Sequence, residues 1–327
     1  MTHRPFPLAA VTTVTAAALL LGGCAAGPAA APSPADTTAA PVSFQNCDTD
    51  LTFATAPQRV VAIKSTSVEM MLALGVGDRI VGTAFTDGPV PDQWAPDASG
   101  LTSISDFMPS EEAVLQLEPD LVYSGWESAF SADAAGTRAE LSGLGVASYV
   151  QPAACRSANV PPKLTFDDVF SEIDQAAAIF QVSPTTLVDA QTAELDAIVP
   201  DDRGLTALWY SSGTDTPYVG AGTGAPELVL DTVGLTNIAG DVDGGWSSLG
   251  WEAIVAANPD VIVLIDADWN TAQSKIDQLR DNPATAELDA VKNDRYITLP
   301  FPASEAGVRT VAAATSVAEQ LKALDLP

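Results

Sequence analysis

Histidine is almost absent from this 327-residue chain, since His3 is the only one. Without a histidine in its body, the protein cannot build a Ser-His-Asp or Cys-His nucleophile system, an imidazole general base, or a zinc site that needs a histidine ligand. The nucleophile pattern Gly-x-Ser-x-Gly is also missing. We therefore expect no enzyme and no metal centre. A secreted α/β hydrolase is the remote alternative, and a carboxylate-only metal site stays open.

Positively charged residues are also few. Fourteen Lys and Arg face 42 Asp and Glu, which gives a formal charge of -28. Such a surface repels a phosphate backbone, so we expect no nucleic-acid partner. Hydrophobic residues make up 47% of the chain, which is enough for a sizeable core, and the length predicts two globular units.

The N-terminus carries targeting signals. Residues 1–23 combine a weakly basic start with an uncharged apolar stretch too short to span a bilayer, which is typical of a secretory signal peptide. Leu-Gly-Gly-Cys, ending at Cys24, resembles a bacterial lipobox and predicts cleavage before a lipidated Cys24; an ordinary signal peptide with a chance cysteine is the alternative. Residues 24–45 predict a disordered tether. We expect an exported protein, lipid-anchored at the extracellular face of the cell membrane.

Cysteine is scarce as well. With Cys24 lipidated, only Cys47 and Cys155 remain. In an oxidising compartment such a pair normally joins, so we predict a disulfide. Two buried thiols are the alternative.

The body of the chain contains an internal repeat. Residues 112–122 match residues 252–262, and both predict a short helix, a Pro-Asp turn and a buried strand. The surrounding alternation of strands and helices favours parallel sheets covered on both faces. The predicted fold class is α/β with two Rossmann-like lobes. Its strands are expected at 60–63, 79–82, 121–123, 146–150, 205–210, 261–265 and 296–299, and its helices at 68–74, 111–117, 134–144, 226–233, 251–257, 272–279 and 305–324.

A helical region separates the two halves. Apolar residues at helical spacing predict one helix from Phe166 to Phe180, and Ser183-Pro184 predicts the start of another. We expect an N-terminal lobe at 46–182, a single long connecting helix at 183–200 and a C-terminal lobe at 201–327. One rigid helical crossing predicts a clamp with a small opening angle.

The segments after the predicted strands form the candidate ligand site, because ligands of open α/β sheets bind beyond the carboxyl ends of the strands. Aromatic rings with scattered hydroxyl groups suit a flat conjugated molecule with polar groups. The candidate ligand-binding residues are Lys64, Ser65, Thr66, Phe85, Asp106, Trp126, Glu127, Tyr210, Tyr218, Gly220, Gly222, Thr223, Gly224, Trp246, Trp269, Phe301 and Arg309.

Some of these residues bear on the charge of the ligand. Gly220, Gly222 and Gly224 precede a predicted helix, so their amides are candidates for an anion site; a plain turn and a dinucleotide-binding loop are the alternatives. Lys64 is either a solvated surface charge or the partner of an anionic ligand. Arg309 is a candidate ligand residue, with pairing to a neighbouring carboxylate as the alternative.

The repeat places Glu112 and Glu252 in the first turns of their helices, where a carboxylate suits the helix dipole. Glutamates are common at helix starts, so one interpretation is that Glu112 and Glu252 only stabilise their helices. The other is docking to two basic pockets of a two-fold partner, because one glutamate belongs to each predicted lobe.

These motifs resemble the substrate-binding lipoproteins of ABC importers, in the class that handles iron-siderophores, haem and cobalamin. The resemblance covers 46–325, with its more specific parts at 56–61, around Glu69 and in the two repeat units. It implies two lobes joined by one long helix, and an ABC permease dimer with its ATPase subunits as partner. In cobalamin-binding members, matches of Glu112 and Glu252 dock onto the permease. A tryptophan of that class is replaced here by Asp106.

Within that class, the sequence is most similar to an actinobacterial subgroup proposed to bind a deazaflavin coenzyme precursor, a tricyclic chromophore with a phospholactyl tail. The similar segments are 46–48, 125–128, 152–155, 208–213, 217–222 and 300–309. The resemblance implies that Trp126, Tyr218 and Trp246 stack the rings while Lys64 and the 220–224 amides take the phosphate. A ferric siderophore or cobalamin is the alternative ligand. We expect a monomer without a cofactor.

Overall fold

Two mainly parallel sheets and the helices around them form the body of the protein. The computed structural model describes residues 40–156 and 163–326. The predicted signal peptide, Cys24 and most of the tether therefore lie outside the described residues. Within the two described ranges, no helix is both long enough and apolar enough to cross a membrane.

A hairpin precedes the first sheet. Strand β1 (Val42–Asn46) pairs antiparallel with β2 (Thr49–Phe53). Cys47 and Asp48 form the turn with φ of 45° and 60°, the left-handed backbone that two-residue hairpin turns favour. The structure contains the predicted disulfide between Cys47 and Cys155, with 5.3 Å between their Cα atoms. The disulfide joins this hairpin turn to the segment that follows the last strand of the first sheet.

The first sheet is parallel throughout, in the order β5-β4-β3-β6-β7. Its two central strands, β3 and β6, are buried at every residue because helices cover both faces. The strands are β3 (Val60–Ile63), β4 (Ile80–Ala84), β5 (Ser103–Ser105), β6 (Leu121–Ser124) and β7 (Ala147–Val150), and the helices are α1 (Ser65–Ala73), α2 (Ala95–Ala98), α3 (Glu111–Leu115) and α4 (Arg138–Gly143).

Two helices link the halves of the chain. Helix α5 (Phe166–Phe180) starts at a capping box made by Thr165 and Asp168, and α6 (Thr185–Asp196) follows a left-handed residue, Gln181. Residues in the second half of α5, such as Ile173 and Phe180, pack into the core of the first sheet. At its start, Val169 belongs to a cluster with Leu228 and Ala306 from the second half. Helix α5 therefore contacts both halves.

The second sheet has the order β11-β9-β8-β12-β13, and β10 also pairs with β8. Strands β8, β12 and β13 are parallel, whereas β9 runs antiparallel to β8 and β11 antiparallel to β9. The strands are β8 (Thr206–Ser212), β9 (Tyr218–Gly220), β10 (Thr236–Asn237), β11 (Trp246–Ser248), β12 (Val261–Asp266) and β13 (Tyr296–Pro300), and the helices are α7 (Ala225–Thr232), α8 (Trp251–Ala257), α9 (Ala272–Asp281), α10 (Asp289–Lys292) and α11 (Thr310–Ala323).

The internal repeat has a structural role in both halves. The carboxylate of Asp120 accepts hydrogen bonds from the backbone N–H groups of Gln58 (2.7 Å) and Arg59 (2.9 Å), at the start of β3. Asp260 accepts one from the backbone N–H of Thr206 (2.8 Å), at the start of β8. Each Pro-Asp turn therefore aligns two neighbouring parallel strands.

The predicted α/β fold with two lobes is confirmed.

Candidate ligand-binding cleft

A cleft of about 540 Å³ lies at the carboxyl ends of both sheets. In the first sheet the strand order reverses at β3, so a crevice opens between the ends of β3 and β6, the usual ligand position in such sheets. Its aromatic wall consists of Trp126, Tyr218, Trp246, Trp269 and Phe301.

The aromatic side chains are arranged in pairs. Tyr218 and Trp246, on the neighbouring strands β9 and β11, stack with 5.9 Å between ring centroids and 12° between ring planes. Trp269 meets the ring of Phe301 edge-on at 5.6 Å. Trp269 is 59% exposed, which is costly for a large apolar ring unless a ligand or partner covers it. The cleft therefore offers aromatic surface to a conjugated molecule.

Lys64 lies underneath this wall and not in it. Its side chain is fully buried, its Nζ forms an ion pair with Asp87, and the same Nζ lies 3.7 Å from the ring centroid of Trp126 and 4.2 Å from that of Phe85. Burial raises the pKa of Asp87, and Lys64 opposes this rise. The backbone φ of Lys64 is 78°, a strained value for a residue with a side chain. The positive charge of Lys64 is therefore engaged by Asp87 and two aromatic rings inside the protein.

The structure brings seven of the predicted residues to the cleft: Trp126, Tyr218, Thr223, Gly224, Trp246, Trp269 and Phe301. The others lie outside the lining: Lys64, Ser65, Thr66, Phe85, Asp106, Glu127, Tyr210, Gly220, Gly222 and Arg309. Several of these are held within their own half of the molecule. The buried Tyr210, for example, donates its hydroxyl hydrogen to the carbonyl of Gly213 (2.6 Å).

The glycines of the 220–224 segment serve close backbone packing. The N–H groups of Ala221, Gly222 and Thr223 donate to carbonyl oxygens in residues 242–245, each at 3.0 Å. A Cβ atom at Gly222 would overlap the carbonyl oxygen of Gly240. These three amides are not free to bind an anion in this conformation, and the plain-turn interpretation accounts for the glycines.

Five polar lining residues are not among the predicted ones: Gln151, Arg156, Ser211, Ser212 and Glu305. Gln151 and Arg156 belong to the segment after β7, so the rule that located the other candidates also applies to them. Glu305 follows a short 3-10 turn, Phe301–Ser304, and the predicted helix start at residue 305 is wrong, because α11 begins at Thr310. The Oε1 of Glu305 accepts a hydrogen bond from Nε1 of Trp126 (2.5 Å), and burial raises the pKa of Glu305 to about 7.

Residues 305–309, which we call the strap, connect the second sheet to the first half of the chain. Besides the bond from Trp126, the carbonyl of Ala306 accepts a bond from Gln151 Nε2, and the carbonyl of Val308 accepts one from Gln191 Nε2 on α6 (2.8 Å). Arg309 forms an ion pair with Glu69 on α1, at 3.1 Å between Nη1 and Oε1.

Burial raises the pKa of Glu69 to about 7, and Arg309 opposes this rise. Arg309 therefore pairs with a carboxylate from the first half of the chain, which agrees with the structural alternative for this residue.

The two repeated glutamates lie on the surface. Glu112 is exposed in the first turn of α3, and Glu252 is exposed in the first turn of α8. Within the described parts of the chain, no group of three or more His, Cys, Asp or Glu side chains is placed to hold a metal ion.

Comparison with known proteins identifies the relatives of this fold. The sequence profile of the periplasmic binding protein family matches residues 60–303. The chain is 26% identical to YvrC of Bacillus subtilis, an uncharacterized ABC transporter substrate-binding lipoprotein, over 93% of this chain and 94% of that protein. It is 28% identical to a cobalamin-binding protein of Halobacterium salinarum, over 78% of this chain and 68% of that protein.

A solved structure supports the same relationship. The crystal structure of an ABC-type Fe3+-hydroxamate transport system from Saccharomonospora viridis is 25% identical and superposes with a TM-score of 0.73. The match covers 86% of this chain and 99% of that chain.

Proposed function

Because this chain belongs to the periplasmic binding protein family, we propose that it captures a flat, conjugated, anionic small molecule outside the cell and delivers it to an ABC permease. Its relatives include an ABC transporter substrate-binding lipoprotein, a cobalamin-binding protein and an ABC-type Fe3+-hydroxamate transport system. The specific ligand that we propose is a deazaflavin coenzyme precursor.

The observation that carries the proposal is the aromatic cleft between the two sheets. Its volume of about 540 Å³ lies within the usual range for small-molecule sites. The stacked rings of Tyr218 and Trp246 on one side and the ring of Trp126 on the other provide the faces on which a tricyclic chromophore stacks.

The site of action follows from the expected export signals. A lipid on Cys24 would hold the protein at the extracellular face of the membrane, and the residues between Cys24 and β1 would act as the tether. Residues 42–45, which the sequence assigned to the tether, belong to β1. The Cys47–Cys155 disulfide supports an oxidising location.

Ligand identity is tested by calorimetry and fluorescence on the purified protein. The probes are the deazaflavin precursor, a ferric hydroxamate and cobalamin. Tight binding of the first probe supports the specific ligand. If cobalamin or the ferric hydroxamate binds tightly and the deazaflavin precursor does not bind measurably, the proposed ligand is wrong. The ligand is then of the kind named for the Halobacterium or the Saccharomonospora relative.

Delivery is proposed to use Glu112 and Glu252, one on each half, as contacts for the two subunits of a permease dimer. Glu112→Ala combined with Glu252→Ala should abolish uptake and leave ligand affinity unchanged. Glu194→Ala combined with Glu319→Ala is the matched control, because it removes two exposed glutamates from α6 and α11. Normal uptake by the first double variant would show that the docking proposal is wrong.

A further inference from the structure

One arginine dominates the charge inside the cleft. Among the described lining residues, Arg156 is the only Lys or Arg and Glu305 the only Asp or Glu. Arg156 is exposed. Its backbone N–H donates to Oε2 of Glu127 (2.5 Å), whereas its guanidinium group has no hydrogen bond or ion pair to any described residue.

The chain beside Arg156 is fixed at several points. Cys155 is linked to Cys47 by the disulfide, and the 3-10 turn Pro152–Ala154 comes directly before it. The hydrogen bond to Glu127 fixes the backbone of Arg156 itself. The backbone is therefore positioned before a ligand arrives, and only side-chain freedom remains to be lost on binding.

Such a cation would favour an anionic ligand here, because Lys64 and most amides of the glycine segment are already engaged. Lys64 is paired with Asp87, and the amides of Ala221, Gly222 and Thr223 are bonded to carbonyls. A chain with a formal charge of -28 also repels anions at long range. A free guanidinium binds phosphate or carboxylate through two parallel hydrogen bonds.

We propose that Arg156 selects cleft ligands that carry a phosphate or carboxylate group, and that the Cys47–Cys155 disulfide keeps it in place for this role. The inference rests on the proposed function, since it assumes that the aromatic cleft is the ligand site.

The test uses FMN and riboflavin as matched probes, because both have the same tricyclic ring system and sugar-alcohol chain but only FMN carries a phosphate. Dissociation constants are measured with the purified full-length protein by fluorescence quenching. FMN is expected to bind at least about tenfold more tightly than riboflavin, as a hydrogen bond to a charged group allows. Arg156→Gln should bring the two constants close together, and Arg156→Lys should keep part of the difference.

Arg280→Gln is the control, since it removes an exposed arginine of α9 outside the cleft. Equal binding of the two probes to the unmodified protein, or an unchanged preference in Arg156→Gln, would overturn the role of Arg156 and leave the proposed function intact. If neither probe binds, the role of Arg156 in selecting phosphate-bearing flavins is wrong, and the ligand class is decided separately by the deazaflavin, ferric hydroxamate and cobalamin probes.

The disulfide is tested with Cys47→Ser combined with Cys155→Ser, after circular dichroism has shown that this variant is folded. It should bind riboflavin as before and lose most of the FMN preference. A full FMN preference in the folded variant would show that the disulfide does not position Arg156.

Discussion

Replacing Lys64 by methionine tests the buried ion pair beneath the cleft. The substitution keeps an unbranched side chain of similar length and removes the charge. Lys64 is fully buried and its partner Asp87 is 3% exposed. The substitution therefore leaves the Asp87 carboxylate buried without its counter-charge, beside rings of Trp126 and Phe85 that have lost a cation.

The expected cost follows from this burial. Removing one partner of a buried ion pair typically destabilises by about 3–5 kcal/mol. Loss of the cation–π contact costs up to about 2 kcal/mol, and a sulfur–aromatic contact of the new Met returns about 0.3–1.5 kcal/mol. At pH 8 we therefore expect Lys64→Met to lower the free energy of unfolding by about 3–5 kcal/mol. Adding Asp87→Asn should recover most of this loss.

The loss should depend on pH. Burial already raises the pKa of Asp87 while Lys64 opposes the rise, so without Lys64 the pKa rises further. A carboxyl group whose pKa is higher in the folded than in the unfolded protein binds more protons when folded, and stability then increases as the pH falls. The deficit of Lys64→Met should therefore shrink between pH 8 and pH 5.

Urea unfolding followed by tryptophan fluorescence measures these values at both pH values. A loss below about 1 kcal/mol at pH 8, measured with an unchanged urea slope, would refute the reasoning. So would a double variant with Asp87→Asn that is no more stable than Lys64→Met alone.

Three further predictions concern stability. Burial raises the pKa of Glu172 to about 8, against 4.5 for the free group. Between about pH 5 and pH 8 the folded protein therefore holds this proton more tightly than the unfolded protein. The free energy of unfolding should fall as the pH rises through this range, by at most about 1.4 kcal/mol per pH unit. Glu172→Gln should flatten that part of the urea-unfolding profile, and an unchanged slope would contradict the assignment. Cys47→Ser with Cys155→Ser should cost about 4–5 kcal/mol in thermal or urea unfolding, because the disulfide closes a loop across a separation of 108 residues; a loss below about 1 kcal/mol would contradict this. Gly222→Ala should destabilise by about 1–3 kcal/mol through overlap with the Gly240 carbonyl, whereas Gly143→Ala, in open space on α4, should be neutral or stabilising in the same assay.

The sequence predicted those elements well whose burial produces a local apolar pattern. Strands such as β3, β6 and β12 are continuous apolar runs, and α8 has the predicted bounds. Strands β5, β9, β10 and β11 and the β1–β2 hairpin were not predicted. They lack a continuous apolar run, and their strand character depends on their pairing partners.

The candidate site was predicted only in part, for a similar reason. The position after a strand selected aromatic residues such as Trp126 and Trp246, which line the cleft. It could not show that Lys64 is neutralised by Asp87, because that pairing depends on how two separate loops fold together. Arg156 was within reach of the same rule, since its segment follows β7, but this segment was left out of the candidate set.

The strap has a consequence for the energetics of capture and release. Three side chains of the first half, Trp126, Gln151 and Glu69, contact it, so separating the two sheets would break three polar contacts together. At about 1 kcal/mol each, roughly one molecule in two hundred would be in an opened form. The free protein then stays in the form that contains the cleft, and a ligand that binds this form loses almost no affinity to conformational selection. In an importer, the transporter would therefore have to supply the free energy that separates the sheets and releases the ligand.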